Sequence, residues 1–221
     1  MLTLYHQPFS PNSRRVWVTL LEKGLEFKLV EIQLNGEQLK PEFLAINPFH
    51  HIPVLIDHDF RILESLAILD YLEAKYSKPT MLPTDAKDLA IARMVQLITI
   101  NELLPPTTIF LPQIMGLPGA EPEKIQQAKQ KIATVLELFE SLFDDRPYFG
   151  SEQLTVADIV AGTVMPWLPK VGISLTEYPK LNTWCDRLVA RPAWQATEPT
   201  PEIIESFKSI VIARMARQNT S

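Results

Sequence analysis

Apolar residues in the first third of the chain alternate between short runs and helical spacing. Residues 2–5, 27–32 and 53–56 have the length and the bounding turn residues of β-strands. Between the first two runs, residues 15–23 carry apolar side chains at helical spacing and precede a glycine, which favours a helix end. A fourth short strand is expected at residues 61–63. This order predicts a β-α-β unit followed by a β-hairpin.

The rest of the chain has helical spacing almost throughout. Residues 40–44 and 65–76 predict a short and a longer helix, and prolines then interrupt the pattern. The helices predicted beyond that break are 86–104, 123–143, one from about residue 156, 178–190 and 201–217. We therefore predict an α/β domain at residues 1–76, a linker at 77–84 and an all-α domain at 85–221.

Composition and charge exclude several classes of function. The 221 residues are 46% hydrophobic, and the net charge of -5 disfavours nucleic acid and anionic membranes as partners. No apolar run reaches membrane-spanning length, and the first residues are strand-like rather than a leader. The single cysteine, Cys185, fits a reducing cytoplasm, and its spacing predicts a place in the core. The histidines and glycines lack metal-site and nucleotide-loop spacing, so no metal is expected.

Two serines, Ser10 and Ser13, stand where the first strand meets the first helix. Free backbone N–H groups and the helix dipole favour an anion at such a place. Either serine can be no more than a helix cap. A redox protein of this topology would carry two cysteines here, whereas hydroxyls resist oxidation and can donate hydrogen bonds to a thiolate. The pattern therefore favours a site that stabilises a thiolate carried by the ligand.

Two further segments bear candidate binding groups. A proline at a strand entrance, Pro53, can form a cis bond that leaves the backbone of Ile52 free to pair with an extended ligand. Glu64 and Ser65 can offer a carboxylate and a hydroxyl to the ammonium and carboxylate of an amino acid. The alternative for Ser65 is again a helix cap. By themselves, the histidines that precede Ile52 are ordinary loop residues.

Three motifs, in their order and spacing, resemble the cytosolic glutathione transferases: SPNSRRV at 10–16, LKPEFLAINPFHHIPVLID at 39–57 and ILESLAILDYL at 62–72. The resemblance extends over essentially the whole chain. In the helical half, residues 151–158 look like the family's capping box and hydrophobic staple, in which Thr155 caps a helix and Asp158 reaches back to it. The resemblance implies a thioredoxin-like N-terminal domain followed by an all-α domain.

The resemblance also implies a function and a site. The enzyme would bind glutathione as co-substrate and conjugate its thiolate to small hydrophobic electrophiles, as a cytoplasmic homodimer without metal. Ser10 would activate the thiol, with Ser13, Tyr5 and Arg14 as alternates. The residues implied for glutathione binding are Gln38, His50, His51, Ile52, Pro53, Glu64 and Ser65. The all-α domain would supply an apolar wall for the electrophile, formed by Leu103, Ile109, Phe110, Leu111, Ile114 and Met115, unless these residues are ordinary core.

The sequence lacks the motifs of several named classes of glutathione transferase, which narrows the class that the resemblance implies. The chain lacks the SSCS motif of the zeta isomerases and the active-site cysteine of the beta, omega and lambda types. It is most similar to theta- or delta-like bacterial enzymes, with the cyanobacterial chi class as a further alternative. Non-catalytic relatives with this fold act as interaction modules or as carriers of hydrophobic ligands, and these remain the alternative functions. Such a scaffold would have no need of an intact set of glutathione-binding residues.

Overall fold

The computed structural model describes residues 1–218, which divide into two compact units. The first comprises Met1–Pro79 together with the described residues from Ala196 onward, and the second comprises Thr80–Gln195. The domain boundaries predicted from the sequence place all of residues 85–221 in the helical domain. The last helix instead belongs to the first unit, because side chains on its N-terminal approach and on the helix itself contact the start of the chain.

A four-stranded mixed sheet forms the centre of the first unit. In chain order its strands are β1 (Leu2–His6), β2 (Phe27–Glu31), β3 (Val54–Asp57) and β4 (Phe60–Ile62), and their order in the sheet is β2-β1-β3-β4. Strand β1 pairs parallel with β2 and antiparallel with β3, and β3 forms a hairpin with β4. All four predicted strands are thus present, within a residue or two of their expected ends, and the thioredoxin-like fold is confirmed.

Helices cover this sheet. They are α1 (Pro11–Glu22), the short α2 (Pro41–Leu44) and α3 (Ser65–Lys75). Helix α1 starts four residues earlier than its apolar pattern predicts, since Ser10 caps it and Pro11 occupies its first position, where a missing N–H costs nothing. The helix that ends the described chain, α11 (Pro201–Gln218), completes the unit.

The second unit is entirely helical apart from one isolated β-bridge. Its α-helices are α4 (Ala86–Ile98), α5 (Leu104–Thr107), α6 (Leu111–Ile114), α7 (Pro122–Leu142), α8 (Val156–Gly162), α9 (Pro179–Val189) and α10 (Pro192–Thr197), the last of which ends in the first unit. Cys185 is buried on α9, as its spacing predicted. Gly162 lets α8 approach its neighbours, because a Cβ there would lie 2.3 Å from Leu188 Cδ1.

A buried carboxylate organises the core of the helical unit. The predicted capping box is present: Thr155 Oγ1 accepts a hydrogen bond from Asp158 N, and Asp158 Oδ2 accepts one from Thr155 N at 2.7 Å. Asp158 also accepts from Phe149 N at 3.1 Å and from the indole of Trp184 at 2.9 Å. Burial raises the pKa of this carboxyl to about 6, although its hydrogen bonds act in the opposite direction.

One helical stretch corrects an expectation about membrane-spanning length. The 29 residues of Ala86–Ile114, which include a π-helical turn at Thr99–Leu103, reach a mean hydropathy of 1.2 over an 18-residue window. By length and composition alone, this stretch could cross a membrane. Its first helix, α4, packs against α7 and α8, and 28% of the 18-residue window is buried.

A buried histidine in the first unit makes folding sensitive to acid. His6 is 3% exposed and packs edge-on against Trp17, and burial lowers its pKa from 6.5 to about 4. Between those pH values the unfolded chain is protonated at His6 and the folded chain is not. The contribution of His6 to stability is therefore present above pH 6.5 and is lost as the pH falls towards 4, by up to about 3 kcal/mol, whereas the raised pKa of Asp158 acts with the opposite sign over a similar range.

We expect the variant His6→Gln to lose most of this acid sensitivity. The measurement is the urea midpoint between pH 7 and pH 4 for wild type, His6→Gln and His51→Gln, in which an exposed histidine is replaced as a control. Parallel pH curves for wild type and His6→Gln would contradict the assignment.

Candidate active site

A cavity of about 640 Å³ opens in the first unit between the sheet, the start of α1 and the start of α3. It is lined by the predicted catalytic serine, Ser10, and by every residue predicted to bind glutathione. Those residues are Gln38, His50, His51, Ile52, Pro53, Glu64 and Ser65. The structure therefore brings together groups that are separated by up to 55 positions in the sequence.

Ser10 is both a helix cap and a cavity-lining hydroxyl. Its backbone is extended, with φ -80° and ψ 120°, and its Oγ accepts a long hydrogen bond, 3.4 Å, from Ser13 N. A hydroxyl has two lone pairs and one proton, so capping the helix leaves the O–H of Ser10 available to donate. The capping role and the activating role are thus compatible in one side chain.

The three alternates to Ser10 do not line the cavity. Ser13 is fully buried, and its Oγ accepts from Gln7 N at 3.2 Å, which braces the loop before α1. Tyr5 packs edge-on against Phe43 beneath the sheet. Arg14 is buried in an ion pair with Glu198 at 2.6 Å. Ser10 is therefore the candidate that the geometry favours.

The loop before β3 is held in shape by Asn47, which sequence analysis had not singled out. This side chain is 3% exposed, donates to His51 O at 2.8 Å and accepts from Phe49 N at 3.0 Å. The Ile52–Pro53 peptide bond is cis, as the resemblance implies. Among the described residues, no hydrogen bond is found to the backbone of Ile52, which leaves its N–H and C=O available to an extended ligand.

The β4–α3 junction places two polar groups at a helix start. Glu64, not Ser65, is the N-cap of α3, and its side chain makes no capping bond. The backbone of Glu64 has φ 64° and ψ 120°, an unusual conformation for a residue with a side chain. Residues held in such conformations are concentrated at binding sites. Glu64 is exposed, whereas Ser65 is only 8% exposed and lies directly at the helix start.

The last helix supplies two lining residues that sequence analysis assigned to the other domain. Ile210 and Ala213 of α11 face the same cavity as Ser10. Two contacts hold this part of the chain in the first unit. One is the Arg14–Glu198 ion pair before the helix, and the other is a ring contact between Phe9 and Phe207, with centroids 5.0 Å apart. No local pattern in α11 distinguishes a cavity-facing residue from a core residue.

The six residues predicted to form an electrophile wall belong to the helical unit. Three of them, Leu103, Phe110 and Met115, are at most 3% exposed, which favours core packing for these three. The other three, Ile109, Leu111 and Ile114, are partly exposed. A ligand-facing role for these residues stays a prediction.

Two other chemistries find no support in the described residues. No cluster of three or more His, Cys, Asp or Glu side chains that could hold a metal ion is found between residues 1 and 218. Burial raises the pKa of the Cys185 thiol to about 12, so this cysteine is not a reactive thiolate.

The fold and the cavity define a class of protein. A thioredoxin-like unit that carries a serine where redox proteins carry a cysteine, joined in sequence to a helical unit, is suited to a ligand that brings its own thiol. Family models agree with this: the glutathione S-transferase N-terminal domain matches residues 4–80, and the C-terminal domain of the same family matches residues 102–192.

Individual relatives extend the match along the chain. Glutathione S-transferase F10 of Arabidopsis thaliana is 31% identical over 207 residues, covering 88% of this chain and 95% of that protein. Glutathione transferase F7 from Populus trichocarpa superposes with a TM-score of 0.78 at 26% identity, covering 89% and 97% of the two chains. Glutathione S-transferase-I, solved with lactoylglutathione bound, gives the same TM-score, identity and coverage. The chain belongs to the glutathione S-transferase family.

Proposed function

We propose that this protein is a glutathione transferase that conjugates the thiolate of glutathione to small hydrophobic electrophiles. The observation that carries the proposal is one cavity of about 640 Å³, which is lined by Ser10 and by all seven residues predicted to bind glutathione. Membership of the family supports it, as does the relative that was solved with a glutathione conjugate. A scaffold or interaction module would not need this set of side chains.

Each part of glutathione has a matching group in the cavity. The γ-glutamyl ammonium meets the carboxylate of Glu64, and the γ-glutamyl carboxylate meets Ser65 and the backbone at the start of α3. The cysteinyl backbone pairs with Ile52 beside the cis proline. The glycine carboxylate lies near His50, His51 and Gln38.

Activation of the thiol follows from the position of Ser10. A free thiol has a pKa of about 8.5, so only a few per cent is thiolate at neutral pH. A hydroxyl donor together with a helix N-terminus can lower that pKa by roughly 2 units, or about 2.7 kcal/mol of differential stabilisation. No acidic residue occupies the first turn of α1, so nothing there opposes the negative charge of a thiolate.

The electrophile meets the thiolate against the apolar part of the same cavity. Ile210 and Ala213 on α11 provide that surface within the first unit, and both accommodate apolar groups without offering hydrogen bonds. This surface favours electrophiles with an apolar body, such as activated aryl halides, over charged ones.

The direct test is conjugation of glutathione to an activated aryl chloride, followed by loss of free thiol and appearance of the thioether. We expect turnover that saturates with glutathione. Titration with an apolar dye in parallel separates the alternatives, because a carrier binds the dye without consuming thiol. A protein that binds neither glutathione nor its conjugates, by calorimetry, would contradict the proposal.

His50 and His51 can be separated by kinetics. His50 has φ 51°, in the left-handed region that asparagine tolerates, so His50→Asn removes the imidazole while preserving the loop. We expect His50→Asn to raise the KM for glutathione about 10-fold with little change in kcat, as loss of a hydrogen bond to a carboxylate does. If His51→Asn shows that pattern instead, the glycine carboxylate lies one residue further along.

A homodimer is the proposed assembly, with a second copy of this chain as the partner. Met94 and Leu97 of α4 are 42% and 52% exposed, and Phe49 on the loop before β3 is 60% exposed. Sedimentation at micromolar concentration is expected to give twice the chain mass. Leu97→Asp is expected to shift the protein towards monomer, whereas Leu138→Asp, at an exposed leucine of α7, is not. A wild-type protein that sediments only as monomer would contradict the assembly.

We also propose a cytoplasmic location and a class near the theta or delta enzymes. One buried cysteine and no possible intramolecular disulfide suit a reducing compartment. A serine at the thiol site separates the chain from the cysteine-using classes. Detection of the native protein in a fractionated cell extract tests the location.

A further inference from the structure

Arg15 is a charged side chain of α1 that the proposed mechanism does not use. It is 0% exposed, and its neighbour Arg14 is held by an ion pair with Glu198. Arg15 has no carboxylate partner among residues 1–218. Within the described part of the chain, its Nε and Nη2 make no hydrogen bond, and Nη1 reaches only Ser65 Oγ, at 3.5 Å.

A buried guanidinium without a paired anion reduces the stability of the folded protein. Moving a cation out of water without a paired anion costs several kcal/mol, and proteins ordinarily pair or discard such charges. Burial lowers the pKa of Arg15 to about 9, and no neighbouring carboxylate opposes that shift. At neutral pH the side chain is still charged, so the folded protein carries a buried positive charge with no carboxylate partner among the described residues.

The hydrogen bond from the Arg15 side chain to Ser65 leads to the cavity. Ser65 lines the cavity and begins α3, where the helix dipole also favours an anion. When Arg15 donates to Ser65 Oγ, the serine proton is free to point into the cavity and donate to a ligand oxygen. The charge behind the serine polarises that bond in a region of low dielectric, where such effects are strong.

We propose that Arg15 is the positioning residue for the γ-glutamyl carboxylate, acting through Ser65 and having its charge balanced only when that carboxylate binds. The inference rests on the proposed function, because it assumes that glutathione occupies this cavity. Because Arg15 is fully buried, it makes no contact with the ligand and affects ligand selection through Ser65. The cavity therefore selects thiol peptides whose γ-linked residue keeps its free α-carboxylate.

The test compares two peptides by calorimetry: glutathione, and γ-aminobutyryl-cysteinylglycine, which is glutathione without its α-carboxylate. For wild type we expect the second peptide to bind about 10- to 100-fold more weakly, the range for a hydrogen bond to a charged group. For Arg15→Met, which removes the charge and keeps a linear side chain, we expect that ratio to fall below about 3-fold. Arg14→Gln, at the adjacent buried arginine, should keep the wild-type ratio.

The ratio separates positioning from a merely structural role, because general loosening of the fold weakens both peptides alike. If Arg15→Met does not fold, Arg15→Gln decides, because it also removes the charge: a ratio below that of wild type supports the proposal, and an unchanged ratio overturns it. An unchanged ratio in Arg15→Met also overturns it. If wild type binds both peptides equally, the inference is wrong while glutathione binding stands, and if wild type binds neither, the proposed function itself has failed.

Discussion

Replacing Ser10 with alanine is expected to lower kcat/KM for conjugation by about 10²- to 10³-fold, the scale of losing one preorganised donor at a developing anion. The reason is that Ser10 is the only one of the four candidate groups for thiol activation that lines the cavity. The variant should also raise the apparent pKa of bound glutathione. The measurement is the ultraviolet absorbance of the thiolate in the binary complex as a function of pH.

The capping role of Ser10 requires a control, because Ser10→Ala also removes the acceptor for Ser13 N. Loss of a helix cap costs about 0.5–2 kcal/mol of stability. Ser10→Asp retains an acceptor for the cap but cannot donate to a thiolate when ionised, and its charge repels the thiolate. We expect Ser10→Asp to fold like wild type while losing at least as much activity as Ser10→Ala.

Variants of the other hydroxyls complete the design. Ser13→Ala should lower stability, since it removes the acceptor for Gln7 N, without shifting the thiolate titration. Tyr5→Phe should shift neither property strongly. If Ser10→Ala titrates like wild type and Ser13→Ala shifts upward, the activating hydroxyl is Ser13. If no variant shifts, backbone amides hold the thiolate and the proposed mechanism of activation is wrong.

The sheet could be predicted because its residues obey local rules. Strands β1 to β4 are short apolar runs between turn residues, and the capping box at Thr155 and Asp158 is a motif of four residues. The seven residues predicted to bind glutathione were implied by the resemblance to the glutathione transferases rather than by local pattern alone. All seven line one cavity, and their role in binding stays a prediction.

What sequence analysis missed depends on contacts between distant residues. The return of α11 to the first unit rests on Arg14 with Glu198 and on Phe9 with Phe207, and the residues of each pair are more than 180 positions apart. In a sequence, Arg15 looks like any charged residue of an amphipathic helix. Only the fold shows that it is fully buried behind Ser65. Burial of a charge is a property of tertiary packing, which no local pattern reports.

Asp158→Ala is expected to reduce the free energy of unfolding by about 3–5 kcal/mol, the largest effect on stability that we predict outside the cavity. The carboxylate is 0% exposed and accepts from four donors: Phe149 N, Thr155 N, Thr155 Oγ1 and the Trp184 indole, at 2.6 to 3.1 Å. Removing it leaves buried donors without an acceptor, which costs more than the hydrogen bonds themselves contribute.

Asp158→Asn should reduce the free energy of unfolding by less than Asp158→Ala does, because the amide oxygen can still accept hydrogen bonds. It should still cost some stability, because the amide NH₂ would face donors that a carboxylate oxygen now satisfies. Urea denaturation of both variants, with Glu152→Ala as an exposed control in the segment before α8, measures the differences. A loss below about 1 kcal/mol in Asp158→Ala, with wild-type glutathione affinity, would show that the four donors find other acceptors and that this carboxylate does not hold the helical unit together.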